Sequence, residues 1–171
     1  MAERKFFIAA NFKMHKDQKL MQAYLQEIKS MCYKQEPSVC ESVDVALAPA
    51  AIFLQQSKEA LGDCAIKVVA QNCHWQDSGA YTGELSIDML KSIATDAVLI
   101  GHSERRKIFL ESDALIAQKL QAANNKSFCP IVCIGEALED RKANKSLEVV
   151  AAQIDLALGT IKDPKDLIIA Y

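Results

Sequence analysis

Gly101-His102-Ser103-Glu104-Arg105-Arg106 sets an imidazole, a hydroxyl, a carboxylate and two guanidinium groups side by side, directly after the apolar run Ala97 to Ile100. The run has strand character, and the polar residues after it read as a helix start with Ser103 as its N-cap. His102 then stands where a strand hands over to a helix, near the positive end of the helix dipole, which disfavours imidazolium. An uncharged ring in that place donates a hydrogen bond to a developing oxyanion. By itself a histidine at a strand end is usually a satisfied polar residue; its company gives it a chemical reading. Asn11 and Lys13 follow the run Phe6 to Ala10, Gln71 and Asn72 follow Ile66 to Ala70, and Glu136 follows Ile131 to Ile134. A lysine for an anionic substrate, a neutral imidazole as electrophile and a carboxylate as base are the parts of an acid–base site.

Short apolar runs alternating with helical stretches must position these groups, and that alternation is the pattern of a parallel α/β protein. The runs begin near residues 6, 43, 66, 97, 131 and 167. A first helix is expected after Asp17, as its cap, with Leu20, Tyr24, Ile28 and Met31 on one stripe and Met21, Leu25 and Cys32 beside it. A second passes from Leu54 to Leu61 and stops at Gly62. A polar loop from Cys73 to Glu84 precedes a short helix with Leu85, Leu90 and Ile93. Another helix starts at the Ser112-Asp113 cap and ends near Asn124-Asn125. The last carries Leu147, Val150, Ile154 and Leu158 and stops at Gly159. Six such strands fit either a (β/α)₈ barrel, whose eight units take about 250 residues, or a doubly wound open sheet. The spacing does not choose between them. In both, ligands meet the C-terminal ends of the strands, where the polar residues gather.

The 171 residues suit a single domain, half of them apolar and a quarter charged. A net charge of −2, without a basic run, gives no electrostatic case for nucleic acid or an anionic membrane. No apolar stretch approaches a membrane span, and no signal-type cleavage region follows the short run Phe6 to Ala10, so a cytoplasmic location is expected. Cys32, Cys40, Cys64, Cys73, Cys129 and Cys133 show neither C-x-x-C nor paired metal spacing, and are expected to be buried thiols, with no metal site. Neither phosphate-loop pattern, G-x-x-x-x-G-K-[ST] or G-x-G-x-x-G, is present. G-H-S-E also lacks the G-x-S-x-G elbow of a serine hydrolase.

Asn11-Phe12-Lys13-Met14, Tyr81-Thr82-Gly83-Glu84, Gly101-His102-Ser103-Glu104-Arg105-Arg106 and Cys133-Ile134-Gly135-Glu136 resemble, in order and in strand context, the successive motifs of the triosephosphate isomerase family. The resemblance runs along the whole chain. It implies a (β/α)₈ barrel, here its first six strands in one domain over 1–171. It also implies interconversion of dihydroxyacetone phosphate and D-glyceraldehyde 3-phosphate through an enediolate, with no cofactor and no metal. A carboxylate base paired with an uncharged imidazole is familiar chemistry for that family rather than a deduction from these residues. By the same resemblance His102 is the electrophile, Asn11 and Lys13 bind substrate, and Glu104 supports the lysine. Ser103 holds the base at rest, and Cys133 packs beneath the site. The loop 73–84 is similar to an arm that enters the partner of a homodimer, with Thr82 reaching the partner's Asn11 and Lys13 and with Met14 and His15 lining the receiving pocket. His15 stands where the family more usually has Asn.

One departure bears on activity. The family's catalytic glutamate follows directly after the strand that ends at Ala170, and no counterpart lies within the 171 residues. Glu104 and Glu136 do not replace it, because a base must reach the carbon-bound proton. Six strands without the rest of a barrel also leave uncovered edges and apolar faces, so poor solubility is expected unless something covers them. The sequence therefore leaves three readings: the isomerase, a non-catalytic piece of it acting in folding or subunit contact, and an unrelated α/β phosphosugar binder.

Overall fold

β-Branched and small apolar residues supply the strands, and Gly, Pro and polar residues punctuate them. A computed structural model describes residues 5–34, 43–161 and 167–171. It contains two compact units. One gathers the chain through Gln71 together with Leu90–Ala97, the other Asn72–Met89 with Val98–Tyr171.

In the first unit, strands β1 (Phe6–Asn11), β2 (Val43–Ala48) and β3 (Ile66–Ala70) lie side by side in parallel. Asn11 pairs opposite Ala48, so both strands end level, and the Phe12 N–H extends the ladder to the Ala48 carbonyl at 3.1 Å. Helix α1 (Gln18–Lys34) begins where the Asp17 carboxylate accepts the Leu20 N–H at 2.8 Å, the expected cap. A 3₁₀ turn, Ala51–Phe53, leads into α2 (Leu54–Leu61), which Gly62 ends at φ +54°. Met21, Leu25, Leu47, Leu54, Leu61 and Val68 are fully buried, each stabilising the unit by roughly 1.5–3 kcal/mol.

Asp96 decides between the two architectures that the spacing left open. Its N–H donates to the Val68 carbonyl at 2.8 Å, and its carboxylate accepts the Val68 N–H at 2.7 Å. The chain entering the fourth strand thus runs along β3, whose other edge holds β2. A doubly wound sheet would reverse direction there and bring that strand next to the first. Successive neighbours without reversal are the (β/α) barrel pattern.

The second unit contains β4 (Ala97–Ile100, from Val98 on), β5 (Cys129–Cys133) and β6 (Ile168–Ala170). β5 and β6 are parallel, with Ile131 opposite Ile168. The intervening helices are α4 (Ser103–Lys107), α5 (Asp113–Asn125), α6 (Leu138–Lys142) and α7 (Ser146–Thr160); a short α3 (Ile87–Ser92) follows the loop 73–84. Ile100, Ile116, Leu120 and Ile131 form its core. Ser112 caps α5 through the Leu115 N–H, as expected.

Several expectations need correction. On α1 the buried line is Met21 and Leu25, while Leu20 and Met31 are more than half exposed. On α7 the buried residues are Gln153 and Ala157; Leu147 is 87 % exposed, and Gly159 lies inside the helix rather than ending it. Leu85 and Ile93 fall outside α3. Of the cysteines only Cys73 is buried among the described residues, and Cys32, Cys64, Cys129 and Cys133 are half-buried. Cys40 lies outside the described residues, as do Met1 to Arg4. No helix among the described residues is long and apolar enough to cross a membrane.

Candidate active site

His102 is the residue that starts α4, and here the structure corrects the expected cap. Ser103 is the first helical residue, and His102 itself is the N-cap, its Nδ1 accepting the Glu104 N–H at 3.2 Å. In a neutral imidazole one nitrogen accepts and the other donates. With Nδ1 given to the backbone, the tautomer is assigned with its proton on Nε2. The five-residue α4 is too short for a large macrodipole. Glu104 Oε2 lies 3.4 Å from the same Nδ1, so both approaches fall on one side of the ring and Nε2 faces away from them.

The turn carrying His102 is fixed from behind. Gly101 has φ +76°, and a Cβ there would come within 3.2 Å of Arg106 and 3.3 Å of the Cys133 carbonyl. Arg106 donates to the Gly101 carbonyl at 2.8 Å and to Asp113 at 2.6 Å. Burial pushes the neighbouring Cys133 thiol up to about 11, with Arg106 opposing.

Arg105 turns the other way, to the buried Glu111, which also accepts from Lys119 at 2.6 Å. Lys119 donates as well to Asn72, at 2.8 Å, just beyond β3. Glu111 and Lys119 side chains are 4 % and 3 % exposed. Burial alone would raise the Glu111 carboxyl, but the hydrogen bonds from Lys119 and Arg105 hold it below the usual carboxylate range. Its Oε2 meets no protein donor. Sequence reasoning misses this hub. The signal that could have found it is a lysine in the line Ile116, Lys119, Leu120, Ala123, all buried on α5.

Asn11 and Lys13 form the second group, in the first unit. The Asn11 side chain accepts the Lys13 N–H at 2.9 Å, and Lys13 takes φ +53°. A non-glycine residue there carries roughly 1–3 kcal/mol of strain, which surrounding bonds must hold. Gln71, in the sequence no more than a rim residue, supplies them: its Nε2 donates to the carbonyls of Lys13 at 2.9 Å and of Ala48 at 2.8 Å. Lys13, Met14 and His15 are exposed, Met14 at 94 %. Nearby, Lys16 lies over the rings of Phe12 and Tyr24.

The loop 73–84 folds on its own aromatics. His74 stacks on Trp75 with ring centroids 3.9 Å apart, Tyr81 closes from 4.1 Å, and the His74 N–H donates to the Leu85 carbonyl. Thr82 is exposed at its tip.

Beyond β5 the turn with Glu136 is held by Gln153, whose side chain accepts the Gly135 N–H at 2.8 Å and donates to the Gly135 carbonyl at 3.2 Å. The Glu136 carboxylate collects Arg141 at 2.9 Å and the Tyr171 hydroxyl. Its own N–H, then the Ser146 hydroxyl and Arg141, hold it below the usual carboxylate range. A cavity of about 440 Å³ opens beside it, lined by Glu104, Arg106, Ala137, Leu138 and Val149 among others. No group of three or more His, Cys, Asp or Glu among the described residues could hold a metal ion.

Comparison with known proteins gives this geometry its context. A family model described as triosephosphate isomerase matches residues 6–171. The triosephosphate isomerase of Alkaliphilus metalliredigens is 40 % identical over 170 residues, covering 98 % of this chain and 66 % of the relative. That of Streptococcus pyogenes serotype M5 is 41 % identical with the same coverage, and that of Saccharomyces cerevisiae 36 % identical over 168 residues, 65 % of its length. The chain spans about two thirds of the length of these relatives. With successive parallel strands and matched motifs throughout, the chain belongs to the triosephosphate isomerase family, and its six strands with the helices between them are of the (β/α)₈ barrel class.

Proposed function

We propose that the protein carrying this chain interconverts dihydroxyacetone phosphate and D-glyceraldehyde 3-phosphate by proton transfer through an enediolate, in the triose step of glycolysis and gluconeogenesis. The observation that carries the reading is the hydrogen bond from the Glu104 N–H to His102 Nδ1. With Nδ1 occupied by the Glu104 N–H, the ring offers Nε2–H to a substrate oxygen. A neutral donor of that kind polarises a carbonyl and returns its proton to either oxygen of an enediolate. In this proposal the Lys13 ammonium and the Asn11 amide receive the phosphorylated triose, Glu104 supports the lysine, and Ser103 holds the base at rest. The reaction uses no cofactor and no metal.

Family membership also supports a cytoplasmic homodimer, in which Thr82 on the loop 73–84 approaches the partner and Met14 and His15 line the receiving pocket. The folded aromatic core of that loop favours a preformed arm over a floppy one.

A second reading rests on Glu136. A carboxylate already holding Arg141, Tyr171 and Ser146, with its carboxyl below the usual range, is a poor proton acceptor. On that ground a polypeptide of residues 1–171 by itself is proposed to be catalytically silent, a single-domain unit for folding or subunit contact. Turnover assayed on the 171-residue polypeptide, its length verified by intact mass, separates the readings; activity there removes the second. His102→Gln in an active, full chain is expected to lower kcat by at least about a hundredfold while leaving the far-UV circular dichroism unchanged. Near-normal turnover in that variant removes His102 from the mechanism.

A further inference from the structure

The lysine proposed to meet the substrate sits on a backbone that cannot hold itself. Lys13 has φ +53°, and two side chains grip its peptide groups: Asn11 takes the N–H, and Gln71 takes the carbonyl. Gln71 comes from the end of β3, whereas Lys13 follows β1, so this grip crosses the intervening strand. The same Nε2 reaches the last carbonyl of that strand, Ala48. Both amide hydrogens are thus committed, one to the turn and one to the sheet that fixes the turn's height. We propose that Gln71 is a positioning residue, acting through Lys13: it sets where the ammonium stands relative to the phosphorylated substrate, and does not touch substrate itself.

The proposal rests on Lys13 being the substrate's cationic partner, and the test separates the two claims. Glycerol 3-phosphate, a triose phosphate analogue without a carbonyl, is titrated calorimetrically into the full chain and into three variants: Lys13→Met, Gln71→Met and the double variant. Methionine keeps the glutamine's length and removes its donors. Misplacing a binding group by ~1 Å costs up to about 10²-fold, so Gln71→Met is expected to weaken binding by about ten- to a hundredfold. If Gln71 acts through Lys13, the double variant binds within about twofold of Lys13→Met, because coupled residues do not add. Additive losses assign Gln71 a general structural role and overturn the proposal. Undiminished binding in Gln71→Met, with binding lost in Lys13→Met, overturns it while the functional reading stands. Equal binding in the wild type and Lys13→Met, or none in the wild type, overturns the functional reading and this proposal with it. Should Gln71→Met fail to fold, Gln71→Asn serves the same cycle, since a shorter amide reaches one carbonyl at most; failure of both assigns a purely architectural role and overturns the proposal.

Discussion

Replacing Glu111 by Gln should reveal how much of the second unit hangs on one buried carboxylate. Glu111 Oε1 faces Lys119 at 2.6 Å, with both side chains almost fully buried, and Arg105 shares the same oxygen. At that distance an effective dielectric of ~20 gives roughly 6 kcal/mol of attraction, and desolvation offsets part of it. Breaking a buried pair from one side costs about 3–5 kcal/mol, because the remaining charge is left without compensation. An amide oxygen still accepts from Lys119, and Asn72 still bonds it, so the lower end, about 3 kcal/mol, is expected. In a chain of this size that corresponds to roughly 6–12 °C in Tm. Urea unfolding followed by circular dichroism measures it. The pH dependence carries a second signature. The folded carboxyl lies below its ordinary value, about 4.3 for Glu, so its contribution is complete above that value and is lost as pH falls through the folded one. Wild type and Glu111→Gln should therefore converge in acid and separate near neutrality. Glu111→Leu combined with Lys119→Met removes the buried pair, leaving the partly exposed Arg105 and Asn72 to turn to water, and should cost less than Glu111→Gln alone. A Glu111→Gln variant as stable as the wild type at pH 7 would refute the hub.

Two further outcomes come from local geometry. Gly101→Ala forces a side chain into a left-handed φ against Arg106 and the Cys133 carbonyl, and should cost about 1–3 kcal/mol by thermal unfolding; an unchanged Tm contradicts the assigned backbone. The buried Cys73 thiol, pushed by burial up to about 12, should resist iodoacetamide at pH 8 until the protein is unfolded, as mapped by peptide mass. Rapid native labelling contradicts its burial.

Strands and caps are legible in the sequence because they follow local rules. The apolar runs at 43–48, 66–70 and 97–100, the Asp17 and Ser112 caps, and the Gly62 stop all depend on neighbours within a few residues. Helix faces are misjudged where packing chooses between adjacent stripes. On α1 the core selects Met21 and Leu25 over Leu20 and Met31, and hydropathy ranks the two pairs alike. The cap at His102 escapes for a different reason. Serine outranks histidine as a cap, but a ring nitrogen at the right height serves as well, and only coordinates show that height. Gln71 and Glu111 act beyond the reach of local rules; Gln71 meets Lys13 across 58 residues, where no periodicity points.

Gln153 shows how a single side chain can be chemically irreplaceable without being reactive. Gly135 presents one hydrogen to give and one oxygen to fill, and the amide answers both at once. Glutamate would set oxygen against oxygen, methionine would leave both groups unanswered, and asparagine is a methylene too short. Even the slow loss of ammonia from this amide, which puts an oxygen in place of the nitrogen, would turn a handshake into a repulsion and loosen the bend that bears Glu136.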